Sequence, residues 1–491
     1  MRFKGIAAGV GLIMLITPLG LLLPTVTGLL YKEPLSDLFF SYLVPGAVTA
    51  AVAATFYIWG RKKASEMRPV EALVVVAISW ILTAVVGALP FIIIGAIPGF
   101  VDALFESMSG FTTTGASVLT EIDGLPRSIL LWRGLTQWLG GLGVVVLTVA
   151  LLSTLLGGPK AGLWLMKGEL PGHRNERVFP RIKDTAVILW GLYLGITLLE
   201  ITILVILGLS LYDAVCHTFT TLSTGGFTPH TESIGYFSLR PTSLLIEIAF
   251  IFFMLVGSIN FMLHYGLMKG EWRRYLRDPE LKLYLFMVLA FVMIIAADLA
   301  FNGLYSPMNA LRASAFQVTS IISTTGYATE DFGVWPSLSR FLLFAMMLVG
   351  GMTGSTAGAI KVARILIATK SLSRSIRYFA RPRAHIPIRV GEVVIPERIV
   401  HGVGLFIFGY MGMFLAGTLV MTLTGLDTVT SLSAVATTMG GVGPGLNVVG
   451  PAANFASISG LGKLVLSALM WFGRLEILTC LILFFPSTYR S

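Results

Sequence analysis

Charge is scarce in this chain. Of 491 residues only 12% are Asp, Glu, Lys or Arg, while 55% are apolar. A typical soluble domain has roughly 25% charged residues to keep its surface wet. A soluble enzyme and a disordered chain are excluded on that ground. Cysteine is scarcer still. Cys216 and Cys480 stand far apart in apolar segments, which argues against a disulfide framework or a cysteine metal site. His-Glu-x-x-His, Gly-x-Ser-x-Gly, a phosphate-cradling Gly-x-x-x-x-Gly-Lys-Ser/Thr and Gly-x-Gly-x-x-Gly after a strand are also missing. The six histidines are scattered and form no ligand cluster.

What the chain has is long apolar runs. Candidate spans are 6–30, 38–60, 71–97, 128–156, 185–209, 242–268, 281–302, 338–368, 399–424 and 462–485. Each is long enough for a hydrocarbon core ~30 Å thick. The first follows Arg2 and Lys4 but runs on to Leu30 without a convincing cleavage site, so it reads as an uncleaved helix. The net charge of +10 is unevenly placed: basic residues gather at 61–68, 160–183, 269–282, 361–398 and both termini. Other connections carry Glu33, Asp37, Asp102, Glu106, Glu121, Asp123, Asp213, Glu232, Glu330, Asp331 and Asp427 with few Lys or Arg. Such alternation follows the positive-inside rule and assigns both termini and the basic segments to the cytoplasm of a multi-pass cell-membrane protein. Nucleic acid is not expected as a partner, because its basic footprint should gather on one soluble face.

Four segments on the acidic side are too short and too polar to cross. Aligned on one glycine each they read Phe105-ESMSGFTTT-Gly115, Val215-CHTFTTLST-Gly225, Phe316-QVTSIISTT-Gly326 and Ser433-AVATTMGGV-Gly443. The spacing predicts an all-α polytopic membrane protein of about ten transmembrane helices. In it, four tandem helix–re-entrant loop–helix repeats surround one pore and follow an extra N-terminal helix pair. Its divisions are 1–68, 69–160, 161–270, 271–390 and 391–491. Non-helical backbone at membrane depth survives only where protein buries it or water lines it. Four Thr/Gly strands around an axis could offer carbonyl rings that replace a cation's hydration shell. The helices leading into them would aim their negative ends at the same place. A single such hairpin is explained as a buried turn; four in register are not.

At these residues the chain resembles the Trk/Ktr/HKT superfamily of potassium transporters, in particular its TrkH-type membrane subunits. The resemblance spans the whole chain and includes Trp138-LGGLG-Val144, Gly350-GMTGSTAGAIKV-Ala363, Gly443-PGL-Asn447 and Phe472-GRLE-Ile477. It implies a potassium-binding filter of Thr113, Thr114, Gly115; Ser223, Thr224, Gly225; Thr324, Thr325, Gly326; and Gly441, Val442, Gly443. The fourth departs most from the family. Glycine at all four key positions implies potassium, since serine at the first accompanies sodium transport in the family. The resemblance also implies a homodimer and a separate cytoplasmic, TrkA-like nucleotide-binding subunit. This chain has no nucleotide motif of its own.

Two further features stand out. Gly350, Gly354 and Gly358 have the spacing of a small-residue packing face. Yet Gly350, Gly351, Met352, Thr353, Gly354, Ser355 and Thr356 make a poor helix interior, and a broken helix fits an over-long candidate span better. The resemblance makes 350–358 an intramembrane gating loop. Arg474 lies in the final span, where a charge is a functional candidate. Its plainer readings are snorkelling or pairing with Glu476, although residues i and i+2 do not share a helix face. The resemblance points it into the pore, against cations. Glu200, Glu247 and Asp298 read as structural or interfacial. The basic segments would dock the regulatory subunit, or serve only to set topology. A sodium- or proton-coupled symporter, a polytopic membrane enzyme and a receptor without flux are the competing functions. The hairpins offer an enzyme only hydroxyls and glycines, and a receptor gives no reason for fourfold repetition.

Overall fold

The computed structural model describes residues 3–64, 69–155, 182–381, 386–391, 393–481 and 484. Among these the only sheet is a short antiparallel ladder of Arg389–Val390 with Val393–Val394; the rest of the regular structure is helical. Among the described residues six helices are long and apolar enough to cross a membrane: Phe3–Leu30, Leu35–Lys62, Val70–Ile93, Thr185–Ile206, Pro279–Phe301 and Glu397–Leu423. On the last of these Leu405, Phe408, Leu415, Leu419 and Leu423 are exposed. An apolar face of that extent belongs in lipid.

The first two spans pair closely. A Cβ built on Gly60 would stand 1.8 Å from the Lys4 carbonyl oxygen, and one on Gly11 2.5 Å from that of Ala53. Glycine permits this approach, as in other membrane helix pairs.

The same order of elements then recurs four times. A long helix is followed by a short hairpin helix, an extended strand and a return helix. The hairpin helices are Phe100–Phe111, Leu211–Leu222, Pro307–Ile322 and Thr428–Gly440. They are rich in Ser and Thr, poor residues for a helix interior because their hydroxyls compete for backbone partners. Here the hydroxyls bond back one turn: Thr112 to Met108 O (2.6 Å), Thr221 to His217 O (2.8 Å) and Thr438 to Ala434 O (2.6 Å). That leaves the helices polar in composition yet buried at the centre of the molecule.

The return helices depart from the sequence expectation. Only the first, Arg127–Leu155, is continuous. The expected span 242–268 bends by 103° between Ser243–Ser258 and Phe261–Met268. Asn260 sits in the break, and its side chain caps the new helix by accepting from Met262 N at 2.8 Å. The expected break in 338–368 is present, between Ser337–Met347 and Val362–Ala380. The expected span 462–485 also breaks. Gly460–Arg474 stops at Glu476, whose φ of 65° is left-handed, and Ile477–Leu481 resumes. Arg474 is therefore the last residue of a helix, not an interior one. The ends of spans 128–156 and 462–485 and most of the basic segment 160–183 lie outside the described residues.

Candidate functional site

Backbone angles set the register of the four strands. Thr113, Thr224, Thr324 and Gly441 all have left-handed φ, between 52° and 68°, and two residues later Gly115, Gly226, Gly326 and Gly443 do so again, between 80° and 98°. L-residues adopt this region at a cost that glycine avoids. Hydrogen bonds repeat the same alignment: Thr114 N to Ser109 O, Gly225 N to Thr220 O, Thr325 N to Ser320 O and Val442 N to Thr437 O, each 2.8–2.9 Å. The second strand is thus displaced by one residue from the expected alignment. Gly226, not Gly225, is the counterpart of Gly115, and Ser223 corresponds to Thr112. The fourth strand, the least regular in sequence, falls where expected.

The strands close into a ring. A Cβ built on Gly115 would stand 2.1 Å from Gly225 O, one on Gly226 1.9 Å from Thr325 O, one on Gly326 1.8 Å from Val442 O, and one on Gly443 2.9 Å from Thr114 O. Each glycine abuts the carbonyl of the next strand, in chain order, and the fourth returns to the first. No side chain fits at the first three of these contacts. A vestibule of about 150 Å³ opens above, with Gly115, Gly226, Gly326 and Gly443 all in its lining.

Several residues that brace this ring were not singled out from sequence. Gln137 donates from Nε2 to Gly225 O (2.8 Å) and accepts from Phe227 N at Oε1 (3.0 Å), holding both sides of Gly226. Buried Glu106 and Arg133 pair at 2.6 Å. Glu106 also accepts from Ser117 Oγ and Val118 N, while Arg133 donates to Thr228 O, which joins the exits of the first and second strands. Tyr327, next to Gly326, sends its hydroxyl to Thr221 (3.0 Å) and His217 O (2.9 Å) on the second hairpin helix. An amide or an acid–base pair inside apolar segments was a readable signal. The partner of each was not.

Below the ring lies loop 348–361. A bridge between Val349 and Ile360 closes its base, with Gly350 N donating to Ile360 O at 3.0 Å. The carbonyls left free by the break at 258–260 hold the loop: Ser258 O takes Met352 N (2.9 Å) and Gly257 O takes Thr356 Oγ1 (2.9 Å). Thr356 Oγ1 also reaches Leu222 O (3.0 Å), the end of the second hairpin helix. Glu280 Oε1 accepts both Thr353 N (2.7 Å) and Ala363 N (3.0 Å), pinning the loop at two points. Gly351, Gly354 and Ser355 are enclosed between Ser258, Asn260 and Met352.

Arg474 joins this assembly. Its Nη1 donates to Thr356 O at 2.6 Å, and its Nε and Nη2 have no partner among the described residues. Glu476 pairs instead with Arg364 at 2.6 Å, so the Arg474–Glu476 pairing is not formed. Glycines in the return helices allow the close fit. Cβ atoms on Gly140 and Gly473 would each stand 2.1 Å from the carbonyls of Phe111 and Met439, near the ends of the first and fourth hairpin helices. Away from the site, Glu247 makes two 2.7 Å bonds to Arg312, and Asp298 accepts from Ser339 N and Oγ. Glu200 is fully buried.

Known proteins share this fold. The TrkH family, described as cation transport protein, matches residues 43–489. The Trk system potassium uptake protein TrkH of Salmonella typhimurium is 36% identical over the full length of both chains. The Trk system potassium uptake protein TrkG of Escherichia coli is 32% identical over 98% of this chain and 97% of its own. The crystal structure of the potassium transporter TrkH from Vibrio parahaemolyticus superposes with a TM-score of 0.90 at 33% identity, covering all of both chains. The chain belongs to the TrkH family of cation transport proteins, which are transporters and not enzymes.

Proposed function

We propose that this chain carries potassium across the cell membrane through the four-strand ring. The observation that supports this most is the cyclic contact of Gly115, Gly226, Gly326 and Gly443 with the carbonyls of Gly225, Thr325, Val442 and Thr114. It gathers backbone oxygens from four strands at one level, the donor chemistry that can stand in for a cation's water shell. The hairpin helices end at the same level and add the negative ends of their dipoles. The filter on this reading is Thr113–Gly115, Thr224–Gly226, Thr324–Gly326 and Gly441–Gly443, one residue later in the second strand than the sequence alone suggested. Potassium is the only bound species the reading requires. Relatives named as potassium uptake proteins favour it over sodium.

Loop 350–358 with Arg474 is the gate. It lies directly below the strands, and a backbone carbonyl of the loop is tied to a buried cation. The four-repeat division at 69–160, 161–270, 271–390 and 391–491 belongs to the same reading, as do cytoplasmic termini and a homodimer with one pore per protomer. A separate nucleotide-binding subunit regulates the gate from the basic cytoplasmic face. The direct test is flux into liposomes holding the purified chain. Potassium and rubidium pass faster than sodium and lithium; equal rates for all four ions would refute the filter.

A further inference from the structure

The loop and the filter meet at Gly358. Its amide donates to Thr324 Oγ1 at 2.8 Å. A Cβ built on it would stand 2.2 Å from Gly440 O and 3.5 Å from Gly441 Cα. A Cβ on Gly441 would in turn lie 3.9 Å from both Gly358 Cα and Thr113 O. Gly358 therefore touches the lower ends of the third and fourth strands, beside the first.

The four equivalent positions at that level differ in chemistry. The Thr324 hydroxyl is taken by Gly358. The Thr224 hydroxyl donates back to Ser223 O at 2.7 Å. Gly441 has no hydroxyl. The Thr113 hydroxyl is fully buried and has no partner among the described residues. An unpartnered buried hydroxyl forfeits its hydration, so an oxygen left in that state at the mouth of a cation path points to a ligand. Thr113 and Thr324 occupy the same place in their strands, and only one of them is engaged by the loop.

We propose that the Thr324 hydroxyl is an exchangeable ligand coupling gate to filter. With the loop seated, Gly358 N–H holds it; when the loop withdraws, it joins Thr113 as an oxygen donor to potassium at the inner end of the filter. The proposal rests on the filter reading above. The two states exclude each other, because the positive end of the N–H dipole occupies the approach a cation would use. Linkage is then reciprocal: inner-site potassium favours loop withdrawal, and a seated loop weakens the inner site.

The test is single-channel recording of the full chain in planar bilayers, comparing Thr324→Val, Thr324→Ser and Gly358→Ala. Thr324→Val keeps the shape and removes the oxygen. Because the oxygen serves both states, its removal abolishes the rise of open probability with inner-side potassium and lowers the potassium-to-sodium permeability ratio. Thr324→Ser, which retains the oxygen, returns both toward wild type. Gly358→Ala drives a methyl into Gly440 O, so it raises open probability while the ligand and the ratio persist. Equal behaviour of Thr324→Val and Thr324→Ser would overturn the proposal while a potassium-selective wild type left the filter standing. If Thr324→Val does not assemble, Gly358→Ala decides, and an open probability no higher than wild type would overturn the coupling. A wild type without preference for potassium would overturn the filter reading itself.

Discussion

At the scale of single residues, the register of the second strand is the point most open to experiment. Gly226 has left-handed φ and faces Thr325 O, whereas Gly225 lacks the left-handed φ and faces the Gln137 side chain. A side chain can move; a carbonyl in a closed ring cannot without shifting its neighbours. Gly226→Ala therefore lowers the potassium-to-sodium flux ratio more than Gly225→Ala, and the reverse order would restore the alignment expected from sequence. The adjacent glycines explain why sequence misplaced it: matching Ser-Thr-Gly stops at the first, and only backbone angles distinguish them. Arg474 is the second such residue. At about 6 Å its repulsion of a potassium ion is ~0.7 kcal/mol in bulk water and ~3 kcal/mol at an effective dielectric of 20. The latter slows passage about a hundredfold. How far the loop excludes water thus decides how much Arg474 matters, and its bond to Thr356 O makes the two one unit. Arg474→Ala raises basal potassium flux, and deleting residues 351–355 raises it further. Combined, the changes in log conductance fall short of their sum; full additivity would separate the arginine from the loop.

At the scale of elements, the short hairpin helices need firm starts. Asp427 caps the fourth, accepting from Val429 N and Thr430 N at 3.0 Å each. Hydrogen bonding from Thr430 holds its carboxyl below the usual range. A lowered folded-state value means this contribution is present at neutral pH and is lost as pH falls through the carboxylate range. Asp427→Ala costs about 1 kcal/mol, the usual scale for a lost cap. It is read as a lower thermal midpoint in detergent, with the gap from wild type narrowing in acid. A gap that stayed constant with pH would remove the carboxylate from that role. Apolar runs showed most of the long helices, and four Thr/Gly cores showed the hairpins. The break in 338–368 was legible because Gly350, Gly351 and Gly354 crowd a helix interior. The break in 242–268 was not, because Ser258 and Asn260 are isolated polar residues in an apolar run. What holds it open is distant in sequence: Met352 N and Thr356 Oγ1 take its freed carbonyls. For the same reason Gln137 and Glu280 gave no sign of their partners, which lie 73 to 90 residues away.

At the scale of the whole molecule, the loop continues directly into helix Val362–Ala380. Val362 N bonds to Gly351 O, and Glu280 holds Ala363 N, so displacement of this helix pulls on the loop. Its far end carries Arg374, Arg377 and Arg381, with Arg383 beyond the described residues. Arg374 is already paired with Glu397. Neutralising Arg374, Arg377, Arg381 and Arg383 together weakens capture of a nucleotide-binding partner and flattens its salt dependence, since exposed charge pairs are screened. Arg374 contributes least of the four. Unchanged affinity in a pull-down at low salt would move the docking site elsewhere. Transport by the proposed route requires four backbone strands to present carbonyl oxygens to potassium. The most direct test is the reversal potential of the purified chain in a planar bilayer with potassium on one side and sodium on the other. A potential near the potassium equilibrium value, moving toward zero in Gly115→Ser, is the predicted result; a wild-type potential near zero would contradict the claim.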